Sequence, residues 1–292
     1  MDAPLLTRAE ALIARLETLL APLPVAPDWK ASIAFRWRSQ GGRGRLQPVP
    51  HPHRVRLKDL RGVDEQKQAI ERNTRQFVAG HPANNVLLSG ARGTGKSSLV
   101  KAVLNQFASK GLRLIEVEKR DLGDLPDIVD LIYGRPERFI LFCDDLSFGA
   151  DEPGYQALKA ILDGSIASNA DNLLVYATSN RRHLMPEYMA ENLAAKHVGD
   201  EVHPDEAVEE KVSLSERFGV WLSFYAFDQD AYLDICDYWV EQLGGALHDR
   251  DTQHRAALQW ALGRGSRSGR VAWQFARDWV GRQQSVTRTK RA

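Results

Sequence analysis

One stretch constrains this chain more than any other: NVLLSGARGTGKSSLV, from Asn85 to Val100, where an apolar run of strand character passes through three glycines into a run of helical character. Within it, Gly90 to Ser97 has the spacing GxxxxGKS. Glycines let a backbone wrap closely around a ligand. The amides of Gly93, Thr94 and Gly95, with the start of the following helix, then face an anion. In such a cradle Ala91 and Arg92 complete the loop, Lys96 reaches β- and γ-phosphates, and Ser97, followed by Ser98, presents its hydroxyl to Mg²⁺. The strand before and the helix after distinguish this motif from an ordinary glycine-rich turn. ATP and Mg²⁺ are the expected cofactors.

A second stretch, RFILFCDDLSF from Arg138 to Phe148, ends an apolar run in two adjacent carboxylates. The carboxyl end of a strand is where an α/β sheet places ligand chemistry. Asp144 there holds Mg²⁺, directly or through water, and Asp145 polarises an attacking water. The alternative is a pair of aspartates that only caps the next turn.

Around these motifs, helical stretches alternate with short apolar runs: VDEQKQAIERNTRQFVAG, NVLLSG, SLVKAVLNQFASKG, LRLIEVEK, FILFCDD, YQALKAILDGSIA, NLLVYATSN and VWLSFYAF. This alternation predicts a parallel sheet covered on both faces. After Phe227 the strands stop, and Tyr232, Ile235, Cys236, Trp239, Val240 and Leu243 recur at helical spacing. The reading is a three-layer α/β/α core with a five-stranded parallel sheet, plus a C-terminal α-helical lid. Its divisions are an N-terminal helix and basic extension over 1–56, a nucleotide-binding core over 57–227, and a helical lid with a basic tail over 228–292. Trp221, Phe224, Tyr225 and Phe227, on or after the last strand, read as core.

Composition agrees with a globular chain: 292 residues, 43% of them hydrophobic, can bury a sizeable core. Cys143 and Cys236 are the only cysteines, so no disulfide framework is implied. Near the start, leucines at helical spacing are preceded by Thr7 and Glu10 in a capping-box pattern. Charges interrupt these leucines, which excludes a signal peptide or a membrane span there and leaves a cytoplasmic location as the expectation.

At this point the chain resembles the AAA+ ATPases, from about Leu57 to Val280. LKDLRGVDEQKQAI is similar to the family's entry segment, which implies that Leu60, Gly62 and Val63 pack the adenine. NLLVYATSN is similar to the strand carrying the first sensor, which implies Asn180 beside the γ-phosphate and the lytic water. VSLSERFGVWLSF resembles the segment bearing the arginine finger, which implies that Arg217 enters a neighbouring subunit's site, so activity requires assembly into a ring or spiral homo-oligomer. GSRSGRVAWQFARDWV resembles the start of the last lid helix, which implies a second sensor arginine at Arg270, with Arg267 as its competitor; residues three apart share a helix face, so spacing leaves both open. FCDDLSF and SGRVAWQFARD together most resemble a bacterial AAA+ family catalogued as domain of unknown function 815. Most AAA+ proteins end the acidic strand in Asp-Glu, although replication-initiator members also end it in two aspartates. One methylene fewer at Asp145 implies slow hydrolysis, since a misplacement of about 1 Å can cost on the order of a hundredfold in rate.

The formal net charge is only +1, but charge is unevenly placed. Lys30 to Arg61 holds nine basic residues against the single acid Asp59. Arg36, Arg38, Arg43, Arg45, Arg54 and Arg56 in this segment, near Phe35 and Trp37, read as a grip on nucleic-acid phosphates with a base stacked, or as a surface for a protein or another copy. Glu187 to Glu210 holds eight carboxylates against Lys196, an acidic insertion that complements that segment within or between subunits. His51 and His53 lack a third ligand nearby and read as a stiff loop. The leading functional reading is an oligomeric Mg-ATPase that remodels an unknown protein or protein–nucleic-acid partner, with no membrane role. An ATP-gated binding module with little hydrolysis is the alternative. A small-molecule kinase would leave Asn180, Arg217 and the SGR segment without roles.

Overall fold

Strict alternation along the strands divides the interior into two cores, one on each face of a single sheet. Leu112, Leu114, Val86, Leu88, Ile140, Phe142, Leu174 and Tyr176 point to one side; Leu87, Ile115, Phe139, Leu141, Cys143, Val175 and Ala177 point to the other. Successive side chains on a strand face opposite ways, so runs apolar at every position suit only a sheet buried on both faces. The computed structural model describes residues 8, 27–40, 43–148, 153–164, 171–180, 214–245 and 249–289. The N-terminal capping-box pattern and the acidic insertion both lie outside these residues, apart from Arg8.

The strands are β1 (Ala34–Gln40), β2 (Arg43–Pro48), β3 (Val86–Gly90), β4 (Leu112–Glu116), β5 (Arg138–Cys143), β6 (Leu173–Ser179) and β7 (Val220–Phe224). Their order in the sheet is β2-β1-β4-β5-β6-β3-β7. All pairings are parallel except that of β1 with β2. Helices α1 (Asp64–Val78) and α2 (Lys96–Phe107) cover one face through Ile70, Phe77, Leu99, Val103 and Phe107. Helices α3 (Leu125–Ile132) and α4 (Pro153–Leu162) cover the other through Leu125, Ile128, Ile132, Tyr155 and Leu158. The lid is a bundle of α5 (Gln229–Gln242), α6 (Arg250–Arg264) and α7 (Gly269–Thr289). Tyr232, Cys236, Ala257, Ala272, Phe275 and Ala276 form its centre, continuous with the first core.

The sheet therefore has seven strands where five were expected, and the basic extension supplies the extra two. In AFRWRSQ the arginines alternate with Phe35 and Trp37, which are 0% and 1% exposed. Both aromatics lie within the second core, and Trp37 Nε1 donates to Asp124 Oδ2 at 2.9 Å. The expectation that they flank a stacked base is thus overturned: neither ring has a free face. The arginines between them point the other way, Arg36 to Glu116 at 2.9 Å and Arg38 to Glu118.

A second correction concerns β7, which is the edge strand. Phe224 and Phe227 are buried as expected, but Trp221 is 36% and Tyr225 70% exposed. An edge strand packs one face on the core, and these two aromatics stand on the other; Trp221 anchors its indole N–H on Ser89 Oγ at 2.6 Å. Cys143 and Cys236 are both free and buried, and burial pushes each thiol up to about 12.

Trp37→Ala tests whether the β1–β2 hairpin is integral to the sheet. Truncating an aromatic in a packed core costs about 3–5 kcal/mol, and that loss is expected in the denaturant midpoint of the whole chain. An unchanged midpoint would mean that the hairpin is an appendage.

Candidate nucleotide site

Parallel pairing brings the ends of β5, β6 and β3 to one edge in a fixed register. Cys143 pairs with Ala177 and Ser89 with Ser179, so the next residues along, Asp144 and Thr178, Gly90 and Asn180, stand side by side. Ser97, in the first turn of α2, donates to Asp144 Oδ1 at 2.6 Å. Thr178 Oγ1 donates to the same Asp144 oxygen at 2.6 Å and accepts the Asp145 N–H at 2.9 Å. The Asn180 amide donates to Asp145 Oδ1, and its carbonyl accepts from Lys96 Nζ at 3.0 Å.

Lys96 is 6% exposed, and its ammonium also donates to the carbonyls of Gly90 at 2.8 Å and Ala91 at 2.7 Å. These contacts give its three N–H donors three acceptors. Burial pushes its pKa down, the charges of Asp145 and Asp144 oppose that, and Arg92 and Arg270 push it further down.

The loop itself explains its glycines. Gly90 has φ 119°, and a Cβ there would stand 2.0 Å from the Phe224 carbonyl oxygen, which accepts the Ala91 N–H at 2.9 Å. Gly93 has φ 74° and lies against the lid: a Cβ would meet Ser268 Oγ at 2.8 Å, and the Gly93 carbonyl accepts the Arg270 N–H at 3.2 Å. Thr94 closes the loop by donating to the Ala91 carbonyl at 2.8 Å. Gly95, also at positive φ, caps α2 at its N-terminus, with Ser98 in the first turn.

The entry segment sits between this loop and the lid. Leu60 lies 3.6 Å from where a Gly95 Cβ would be, Gly62 packs against the Phe227 ring, and the buried Val63 starts α1. Two polar links join the segment to α5: Arg61 to Asp234 at 2.8 Å, and Tyr238 to Asp59 at 2.7 Å. Burial alone would raise the Asp59 carboxyl, but its bonds from Arg56 and Tyr238 hold it below the usual range. Sequence reasoning missed these links and Thr178, because a threonine inside an apolar strand and a tyrosine on a lid helix carry no motif.

Arg217 is not brought to this cluster. It precedes β7, whose Val220 pairs with Val86 at the amino end of β3, whereas Phe224 pairs with Gly90 at the site edge. That strand alone spans about 13 Å at roughly 3.3 Å per residue. Arg217 instead bonds Asp163, just beyond α4, at 2.5 Å. Arg267 and Arg270 are both exposed, but only Arg270 has its backbone bonded to the phosphate loop.

Ser97 and Asp144 offer hard oxygen donors a hydrogen bond apart, next to a phosphate cradle. That set fits Mg²⁺, which takes one or two protein oxygens and fills the rest of its octahedron with water and substrate phosphates. Among the described residues no group of three His, Cys, Asp or Glu side chains forms a metal site, His51 and His53 included. None of the described helices is long and apolar enough to cross a membrane.

A family model described as a protein of unknown function, DUF815, matches residues 30–283. A curated relative, the 26S proteasome regulatory subunit 4 homolog of Schizosaccharomyces pombe, is 28% identical over 183 residues, covering 56% of this chain and 40% of its own length. The chain thus spans less than half of that relative. Among solved structures, a RuvB mutant of Thermotoga maritima matches with TM-score 0.48 at 15% identity, over 77% of this chain and 64% of that one. The FIGL-1 AAA domain in complex with ADP matches with TM-score 0.46 at 16% identity, over 78% and 85%.

Gly90→Ala is the sharpest test of the loop geometry. A left-handed φ and a Cβ 2.0 Å from a carbonyl oxygen cannot both be accommodated, and strain of this kind costs on the order of 1–3 kcal/mol or more. The variant is expected to unfold at lower denaturant and to lose nucleotide affinity, as read by equilibrium denaturation and fluorescent-nucleotide titration.

Proposed function

The chain belongs to the family described as a protein of unknown function, DUF815; from that premise we propose that it is an AAA+ protein, a Mg-dependent ATPase that hydrolyses ATP at subunit interfaces to remodel a protein or protein–nucleic-acid partner in the cytoplasm. The observation that carries this reading is the linked set Lys96–Asn180–Asp145 beside Ser97–Asp144, every member within a hydrogen bond of the next. Mg²⁺, when bound, neutralises charge on the β- and γ-phosphates. Gly93, Thr94 and Gly95 supply backbone N–H groups, and Lys96 supplies a buried cation to the same oxygens. Asp145, oriented by the Asn180 amide, accepts a proton from the attacking water.

Arg217 is the proposed finger. Its place at the opposite strand edge from its own phosphate loop supports action on a neighbour, since a single side chain does not cross that distance. Its pairing with Asp163 then describes the subunit with its finger withdrawn. A guanidinium is suited to charge spread over a transferring phosphoryl group. Arg270, tied through its backbone to Gly93, is the proposed lid sensor in preference to Arg267. Leu60, Gly62 and Val63 are the proposed adenine contacts.

Nucleic acid is the weaker choice of partner. The two aromatics that would stack bases are interior, and Arg36 and Arg38 already hold carboxylates. The second reading, an ATP-held switch with little hydrolysis, is favoured by one observation: one oxygen of the Asp145 carboxylate already accepts a hydrogen bond from Asn180.

Asp145→Asn decides between these readings. It is expected to keep nucleotide affinity and lose most steady-state hydrolysis, by about 10²- to 10⁴-fold for loss of a general base. Equal turnover in the variant and the wild type would sink the role given to Asp145. Arg217→Ala and Arg270→Ala are each expected to impair hydrolysis. Only Arg217→Ala should poison mixed assemblies with wild type, measured as turnover against mixing ratio; a linear mixing curve would argue against a finger acting in trans.

A further inference from the structure

We propose that Thr178 is the positioning residue of this site, a single hydroxyl that sets both aspartates at once. The inference rests on the Mg-ATPase reading above and extends it to a residue of the NLLVYATSN strand to which the resemblance assigns no role. Thr178 is 1% exposed, near the end of β6. Its Oγ1 donates to Asp144 Oδ1 at 2.6 Å, and that same oxygen receives the Ser97 hydroxyl at 2.6 Å. Two hydroxyls thus fix the Asp144 carboxylate from opposite elements, the sheet and the phosphate-loop helix. A carboxylate so held has one orientation in which to meet a metal.

The same hydroxyl has lone pairs left, and one accepts the Asp145 N–H at 2.9 Å. Asp145 is the only described non-glycine residue with a positive φ, at 53°. Side chains other than glycine rarely adopt that region; asparagine and aspartate are the usual exceptions because their short polar groups bond locally. The Thr178 backbone carbonyl completes the hold by accepting the Leu146 N–H at 2.7 Å. Three bonds to one residue therefore bracket the left-handed turn, which throws the Asp145 side chain sideways to Asn180. Aspartate enters this region more readily than most side chains, which is consistent with an aspartate at the second position of the pair.

A purely structural threonine would affect stability and leave metal dependence alone; a positioning residue moves the metal dependence. The test uses the full chain with Thr178→Val, which keeps shape and removes the hydroxyl, and Thr178→Ser, which keeps the hydroxyl. Affinity for a non-hydrolysable ATP analogue is measured in EDTA and across a Mg²⁺ titration, with Mn²⁺ as a spectroscopic probe of the same site. Thr178→Val is expected to hold its metal-free affinity while its half-saturating Mg²⁺ rises by about 10- to 100-fold, the usual cost of losing a residue that orients a metal ligand. Thr178→Ser should restore most of that loss. A Thr178→Val protein with wild-type metal-free affinity and wild-type half-saturating Mg²⁺ would overturn the proposal; if the valine variant does not fold, Thr178→Ala is read by the same criteria. Should the wild type itself show no Mg²⁺-dependent binding, the ATPase reading fails first, and the two failures are thereby told apart.

Discussion

Parallel pairing of β5, β6 and β3 is the constraint on which the site depends. Parallel strands end on the same edge, and the register of Cys143 with Ala177 and Ser89 with Ser179 leaves no freedom in which residues come next. Asp144 must meet Thr178, and Gly90 must lie beside Asn180. Three chain segments up to 90 residues apart in sequence (Gly90 to Asn180) are thereby assembled by backbone hydrogen bonds before any side chain chooses a partner. The two-sided core then makes the edge rigid, because side chains close-packed on both faces of the sheet cannot be exchanged between faces without voids or clashes.

A second consequence lies in how the lid meets the loop. The Gly93 carbonyl bonds the Arg270 amide, Ser268 fills the space that a Gly93 side chain would need, and Phe227 fills the one at Gly62. The entry segment is tied to α5 by Arg61 with Asp234 and by Asp59 with Tyr238. The lid therefore touches the cradle by backbone and close packing, and the entry segment by polar bonds. The start of α7 is thus bonded directly to the glycine-rich loop.

The sequence made part of this legible. GxxxxGKS announces its geometry because no other residue replaces those glycines, and the acidic strand end follows from an apolar run stopped by two charges. Thr178 was hidden: it stands in an apolar strand where threonine is ordinary filler, and only the register with β5 aims it at Asp144. The β1–β2 hairpin was hidden by its charge. AFRWRSQ has the period-two pattern of a half-buried strand, but clustered arginines read as a phosphate grip or a docking surface unless Phe35 and Trp37 are recognised as the inward set. Trp221 and Tyr225 read as core because VWLSFYAF does not reveal that its strand is an edge. Arg217 had meaning only through resemblance, since no spacing rule links it to a site on another subunit.

The central proposal is that hydrolysis needs a second subunit: the cradle, Asp144, Asp145 and Asn180 share one edge, and Arg217, the proposed finger, lies at the other. Single-turnover hydrolysis of bound ATP, followed over a wide range of protein concentration, measures this directly. The account predicts a rate per subunit that is low when the protein is dilute and rises to a plateau as it assembles. A rate independent of concentration would contradict it, as would ATP held intact for many minutes at every concentration.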